Sequence, residues 1–257
     1  MYPLAPLLRE GLEGALDLIY PPVCQVCHEQ EAHAPAGYVC AACAAQVRLI
    51  TLPYCKRCGA PFAGEAANID DCRNCHSVEL HYAHARSAAN HTGPLLQVIH
   101  QFKYAQARWF SPFLQRLLIE NTFAALPPEM WDGVVPVPLH PLKERERGFN
   151  QSESLAAALA TALRVPLLTR VLRRVRYTET QAGLPRRERV KNVANAFRLC
   201  GRSSPSGKRL ILVDDVMTTG ATLNACAKVL RTGGATHIVA LSVARACDGS
   251  FGLSASP

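Results

Sequence analysis

The fold is decided by residues 209–222, which read Arg-Leu-Ile-Leu-Val-Asp-Asp-Val-Met-Thr-Thr-Gly-Ala-Thr. Residues 210–213 are apolar without polar alternation, which indicates a central parallel strand buried on both faces. A helix is predicted from Leu223 to Leu230, and the glycine pair that follows ends it. The next strand is predicted from His237 to Val243. This strand–helix–strand unit predicts a parallel α/β sheet.

The loop between the first strand and the helix carries the candidate chemistry. Ligands of open parallel sheets bind at the carboxyl ends of the strands. Three threonine hydroxyls within residues 218–222, with backbone N–H groups at the helix start, can hold a phosphate, and Gly220 permits close approach. Asp214 and Asp215 suit the vicinal hydroxyls of a ribose, directly or through Mg²⁺. The alternative is a simple helix cap, although a cap needs only one acidic residue.

Eight cysteines before residue 76 form four C-x2-C pairs. Twelve residues separate the first two pairs and thirteen separate the last two, which is the spacing of two four-thiolate zinc sites. Four thiolates leave no open position, so both sites are predicted to be structural, and zinc supplies folding free energy that so small a segment lacks. The predicted ligands are Cys24, Cys27, Cys40, Cys43, Cys55, Cys58, Cys72 and Cys75.

Other interpretations of the cysteines are weaker. Redox C-x2-C motifs occur singly beside a βαβ unit, and disulfide frameworks belong to secreted chains. His28 and His76 each follow a cysteine pair, so they are possible substitute ligands and give a superficial match to c-type haem attachment. Isolated thiols in apolar surroundings, as at Cys200, Cys226 and Cys247, are expected to be buried without function.

Between the cysteine pairs and residue 209 the pattern also alternates between helix and strand. Two helices are predicted from about residue 93, with a break near Ser111-Pro112, followed by a short β segment at 133–138. An alanine-rich helix is predicted over 152–163, opened by Asn150 or Ser152. Residues 170–192 are basic and lack clear periodicity, so we expect a loop there.

The composition excludes several classes of protein. The chain has 257 residues, of which 49% are apolar and 19% charged, with mean hydropathy +0.03, as in a folded soluble protein. Charged residues interrupt the apolar stretch 1–20, which therefore lacks the features of a signal peptide. No later run reaches the ~20 apolar residues needed to span a bilayer. We therefore expect a cytoplasmic protein without a membrane span.

Charge is distributed unevenly. Residues 1–81 carry five Lys and Arg against nine Asp and Glu, net −4, whereas residues 82–257 carry 23 against 11, net +12. Residues 139–191 alone hold twelve basic and five acidic residues. Such a region suits an anionic partner, either a phosphorylated small molecule or a nucleic-acid strand. A solvated surface is the ordinary alternative for any single arginine, and the basic loop offers only Phe149 and Tyr177 for base stacking.

These motifs resemble known ones. Residues 212–222 resemble the phosphoribosyl-pyrophosphate (PRPP) motif of type I phosphoribosyltransferases. Together with His-Gln-Phe-Lys-Tyr at 100–104, Val-Pro-Val-Pro-Leu at 135–139, Arg-Gly-Phe-Asn-Gln at 147–151 and the basic segment 181–192, they resemble the ComF (ComFC/GntX-type) family of competence-associated proteins. Members of that family join an N-terminal double zinc ribbon to a phosphoribosyltransferase domain.

The resemblance implies roles for particular residues. Asp214 and Asp215 would hold the ribose hydroxyls, and the loop after Val137 would face the pyrophosphate. Lys143 departs from the family, many members of which carry Arg there, so bidentate phosphate contact is not expected of it. The implied PRPP-binding residues are Asp214, Asp215, Val216, Met217, Thr218, Thr219, Gly220, Ala221 and Thr222. The implied pyrophosphate-binding residues are Lys143, Arg145 and Arg147, and Arg186 and Arg189 would act catalytically from a lid formed by residues 177–192.

The expected domain order is an N-terminal helix (1–20), a double zinc ribbon (21–80), a phosphoribosyltransferase-like domain (81–250) and a flexible tail (251–257). The expected function is displacement of pyrophosphate from PRPP, with magnesium, by an acceptor that the sequence does not identify, in DNA uptake or natural transformation. His140 beside the pyrophosphate loop is either an acid–base group or an ordinary loop residue. Alternative functions are a non-catalytic single-stranded DNA-binding competence factor, acting with other competence proteins, and a PRPP-sensing regulator.

Overall fold

The computed structural model describes residues 22–62, 72, 75–76, 78–123, 126, 130–177, 193, 195–201 and 204–246. The strands are β1 (His84–Asn90), β2 (Gly133–Pro136), β3 (Leu172–Arg174), β4 (Phe197–Leu199), β5 (Arg209–Met217) and β6 (His237–Arg245). The helices are α1 (Ala41–Ala45), α2 (Gly93–Tyr104), α3 (Ser111–Thr122), α4 (Pro141–Arg147), α5 (Gln151–Leu163) and α6 (Ala221–Thr232). Within these residues, no helix combines the length and apolar character that crossing a bilayer requires.

Four strands form a parallel sheet in the order β1-β6-β5-β2. Helices α3 and α5 cover one face, and α6 with the antiparallel pair β3–β4 covers the other. The central strands β5 and β6 are buried along most of their length, as continuous apolar runs require. The predicted parallel α/β fold is therefore confirmed.

Two local predictions differ from the structure. The strand predicted to end before the acidic pair continues to Met217, because β6 is equally long and pairs with it as far as Met217↔Arg245. Residues 172–174 form β3 within the segment predicted to be a loop, since a three-residue strand is too short to show periodicity. The predictions for residues 1–20, 178–192 and 251–257 lie outside the described residues.

The two cysteine clusters lie on opposite faces of the sheet. The first belongs to the apolar core beneath α3 and α5, and the second belongs to the core beneath α6. The chain that joins them runs along the exposed edge of β1, where Ile50 N donates to Ala88 O at 3.0 Å and Ala85 N donates to Arg57 O at 2.8 Å. The cysteine-rich segment therefore covers an edge strand that would otherwise present unpaired backbone groups.

Candidate functional site

A cavity of about 460 Å³ opens at the carboxyl ends of the parallel strands. Its wall includes a residue just after each strand of the sheet: His91 after β1, Val137 after β2, Thr218 after β5 and Ala246 after β6. This is where the topology of an open parallel sheet places a ligand. The predicted site residues in β5 and the following loop line the same cavity, with the exception of Thr219.

Asp214 and Asp215 are held by different helices. The Ser152 hydroxyl, in the first turn of α5, donates to Asp214 Oδ1 at 2.9 Å, and the backbone N–H of Asp215 donates to the same oxygen at 2.9 Å. Lys103, at the end of α2, places Nζ 2.9 Å from Asp215 Oδ1, and both side chains are largely buried. One acid is thus oriented by a hydroxyl and the other is neutralised by an ammonium group.

Burial, and next the charge of Asp215, raise the pKa of Asp214 to about 7. The Lys103 ammonium and the Ser152 hydrogen bond act in the opposite direction. Two carboxyl groups in one buried site repel each other when both are ionised. The pair therefore favours a ligand that brings hydroxyl donors or a cation.

The loop after β5 forms the floor of the cavity. Thr218, Gly220 and Thr222 line it, whereas Thr219 does not: its Oγ1 accepts from the backbone N–H of Ala221 at 3.3 Å. Gly220 begins α6 at φ +79, and a Cβ there would lie 2.7 Å from the end of the Met217 side chain. The left-handed backbone is what favours glycine here, since the flexible end of Met217 could move aside.

Helix α4 contributes two of the three cations predicted from the sequence. Lys143 and Arg147 line the cavity, one helical turn apart, and Arg145 lies between them on the exposed face. His140 occupies the N-cap position, where Nδ1 accepts from the backbone N–H of Leu142 at 3.3 Å. The structure thus gives His140 a capping contact. Arg186 and Arg189 lie outside the described residues.

Several cavity residues were not predicted from the sequence as site residues. Lys103 and His91 come from the segment after β1, and Gln151 and Ser152 come from the start of α5. Arg174 of β3 lines the cavity as well. The motif segments 100–104 and 147–151 include two of these five residues, Lys103 and Gln151, which is the signal that could have identified those two.

Two families of known proteins match separate parts of the chain, the cysteine-rich segment and the α/β domain. The double zinc ribbon domain family matches residues 15–76, and the phosphoribosyl transferase domain family matches residues 150–250. Competence protein F of Haemophilus influenzae is 32% identical over 218 residues, which are 83% of this chain and 93% of that protein. The chain belongs to the ComF family of competence proteins.

Other members of the ComF family align over most of their length. The DNA utilization protein YhgH of Salmonella typhimurium is 33% identical over 86% of this chain and 96% of its own length. Competence protein ComFC of Bacillus subtilis is 29% identical over 76% of this chain and 79% of its own. The adenine phosphoribosyltransferase from Thermoanaerobacter pseudethanolicus is a similar solved structure, 20% identical over 61% of this chain and 76% of that chain, with a TM-score of 0.33.

The cysteines of this ComF protein form the two predicted groups. The four sulfur atoms of each group lie within 4.8 Å of one another. In the second group the Sγ atoms of Cys58 and Cys72 are 3.5 Å apart, and those of Cys72 and Cys75 are 3.7 Å apart. A tetrahedron with Zn–S bonds of about 2.3 Å has sulfur–sulfur edges of about 3.8 Å. Both groups are therefore compatible with structural zinc.

Proposed function

We propose that this ComF protein binds PRPP and transfers its phosphoribosyl group to an acceptor, with displacement of pyrophosphate, in a process linked to DNA uptake. The observation that carries the proposal is the cavity itself. The half-buried Asp214, the buried Asp215, a threonine-rich loop at a helix N-terminus and a cationic helix all line one cavity of about 460 Å³. The names of the relatives, competence protein and DNA utilization protein, support the link to DNA.

Each part of PRPP has a matching part of the cavity. Asp214 and Asp215 would accept hydrogen bonds from the ribose hydroxyls, and the loop 218–222 would hold the 5-phosphate at the N-terminus of α6. Lys143 and Arg147 would hold the pyrophosphate. Arg145 would approach it only from the rim, and Arg186 and Arg189 remain part of the proposal as lid arginines over the leaving group.

The chemistry requires charge stabilisation and exclusion of water. The bond between ribose C1 and the pyrophosphate oxygen breaks, a bond from C1 to the acceptor forms, and the electron pair leaves with the pyrophosphate. Cations around the pyrophosphate stabilise the charge that develops on it, so no protein nucleophile is needed. The carboxylate oxygens of the acid pair suit Mg²⁺, which when bound would add positive charge beside the ribose and pyrophosphate.

The catalytic half of the proposal is tested by pyrophosphate release. Zinc-loaded protein, PRPP and Mg²⁺ would be incubated with a panel of nucleobases and amines, with the Asp214→Asn/Asp215→Asn variant as the control. We expect release with at least one acceptor, and none from the variant. Saturable PRPP binding without release across the panel would contradict transfer and leave the PRPP-sensing regulator as the function.

Single-stranded DNA is the second candidate ligand, and exposed aromatic side chains beside the cations favour it. Tyr104 and Tyr177 are 52% and 47% exposed. The Arg147 guanidinium lies 5.2 Å from the ring centre of Tyr104, and Lys143 Nζ lies 5.3 Å from that of Tyr177. Aromatic rings interleaved with cations form the stacking surfaces that bind single strands without sequence preference.

Binding of a labelled oligothymidine, followed by anisotropy, tests this surface. Tyr104→Ala and Tyr177→Ala are each expected to weaken binding about five- to a hundredfold, as loss of one stacked base does. Leu52→Ala, at a residue 71% exposed on the cysteine-rich segment, should change nothing. The affinity should also fall log-linearly with salt. Equal affinity in all three variants, or no binding, would contradict the DNA surface.

A further inference from the structure

Gln151 is the most deeply buried polar residue that lines the cavity. It stands at the first position of α5, directly after the cap Asn150, and only 1% of it is exposed. Asn150 fixes this helix start by donating from Nδ2 to Val137 O at 3.1 Å and accepting from the Ser152 backbone N–H at 3.1 Å. The Gln151 side chain therefore begins from a rigid point between β2 and β5.

The orientation of the Gln151 amide is determined by its neighbour Arg147. Arg147 Nη1 donates to Gln151 Oε1 at 3.2 Å. A guanidinium has only donors, so the amide oxygen must face Arg147 and the NH₂ group must face away from it. Rotating the amide by half a turn would set two donors against each other.

The other end of that amide, Nε2, is buried and has no hydrogen-bond partner among the described residues. An unsatisfied buried donor is rare in folded proteins, because its lost hydration is not replaced. The same is true of His91 Nε2 across the cavity. Two orphaned nitrogens in one cavity indicate hydrogen bonds that a ligand completes.

We infer that Gln151 is a ligand-binding residue whose Nε2 donates to an oxygen of the pyrophosphate group, next to Arg147. This inference rests on the proposed binding of PRPP. The acceptor is an anionic oxygen because the surrounding side chains of Arg147 and Lys143 bring positive charge to the same place. Ser152 and Asp214, on the other side, belong to the ribose region.

The test compares Gln151→Met with Gln115→Met. Gln115 Nε2 is fully used, since it donates to Ser154 O and to Ser154 Oγ, both at 3.1 Å, and Gln115 does not line the cavity. Loss of a hydrogen bond to a charged group should lower the PRPP affinity of Gln151→Met about ten- to a hundredfold. Its melting temperature should equal or exceed that of the wild type. Gln115→Met should show the reverse: a lower melting temperature with unchanged PRPP affinity.

Pyrophosphate and ribose 5-phosphate, each a part of PRPP, show which part of PRPP Gln151 contacts. Pyrophosphate should bind Gln151→Met more weakly than it binds the wild type, whereas ribose 5-phosphate should bind both equally. Gln151→Glu keeps the acceptor for Arg147 but places a negative charge where the NH₂ group was, so it should bind pyrophosphate more weakly still. Wild type that binds PRPP with no loss in either variant would overturn the role of Gln151 alone. Wild type that binds no PRPP would overturn the proposed function and this inference with it.

Discussion

Arg245→Met is expected to destabilise the whole protein, not only the cysteine-rich segment. Arg245 ends β6, is 1% exposed, and donates from Nη1 to Cys58 O at 2.6 Å and from Nη2 to Cys58 Sγ at 3.6 Å. A zinc ion with four thiolates carries a net charge of −2, so with zinc bound this guanidinium would be the counter-charge of the second cluster. Removing one partner of a buried charge pair costs about 3–5 kcal/mol. Urea unfolding should show that loss of free energy.

Arg209→Met is the matched control for Arg245→Met. Arg209 begins the neighbouring strand β5, its side chain is 40% exposed, and it pairs with Asp132 at 3.5 Å. An exposed pair of this kind contributes about 1 kcal/mol or less. A zinc-binding dye should also show that one of the two zinc ions leaves Arg245→Met faster than it leaves the wild type. If the two variants had equal free energies of unfolding and equal rates of zinc release, Arg245 would not couple the zinc cluster to the sheet.

Removal of zinc from the second cysteine cluster should disturb the cavity, because the segment that follows this cluster contacts the loop after β5 and helix α6. Tyr82, which follows the second cluster, places its hydroxyl 3.1 Å from the position of a Cβ at Gly220. Asn224 of α6 holds the same segment by accepting from His81 N at 2.7 Å and donating to Glu79 O at 2.8 Å. The second cysteine cluster thus braces the loop 218–222 and helix α6 from outside the cavity.

Asp214→Asn is expected to be more stable than the wild type at neutral pH in magnesium-free buffer. Burial, and then Asp215, raise the pKa of Asp214 to about 7, against about 3.9 in an unfolded chain. The folded state therefore binds this proton more tightly, and the free energy of unfolding falls as pH rises from about 4 to about 7. Asparagine does not titrate, so this dependence of the free energy of unfolding on pH is lost, while its Oδ1 still accepts the two hydrogen bonds. The gain should be about 2–4 kcal/mol above pH 7.

Asp132→Asn should behave in the opposite way. The backbone N–H of Arg209 lowers the pKa of Asp132, so its ionised form stabilises the folded state above the unfolded pKa, and this contribution is lost as pH falls through the folded pKa. The Asp132→Asn variant should therefore be less stable than the wild type at pH 7. Unfolding curves from pH 4 to pH 8 for both variants provide the measurement. A lower free energy of unfolding for Asp214→Asn than for the wild type at pH 7.5 would contradict the prediction that the ionised Asp214 destabilises the folded state.

The sheet and the two cysteine clusters could be predicted because their signals are local in sequence. An apolar run before two acids and four repeated cysteine pairs each need only a few neighbouring residues. The end of β5 could not be predicted, since aspartate is depleted in strands and only the pairing with β6 keeps residues 214–217 extended. The strand β3 was missed for the same reason: its partner lies beyond a long stretch of chain.

The candidate site was predicted in part. The acids and the threonine loop form one continuous motif, whereas Lys103, Gln151 and Arg174 reach the cavity from three other elements. Tertiary packing alone decides which side of α4 faces the acids, so Arg145 could not be separated from Lys143 by sequence. Tyr104 reaches Arg147 in the same way, from a segment outside the basic region. Contacts between distant segments leave no local pattern to interpret.

Isothermal titration calorimetry can test the proposed PRPP site without knowledge of the acceptor. Zinc-loaded protein would be titrated with PRPP in the presence of Mg²⁺, beside the Asp214→Asn/Asp215→Asn variant in the same buffer. We expect saturable binding at one site per chain in the wild type and no binding in the variant. No binding to the wild type, or equal binding to the variant, would contradict the proposed PRPP site.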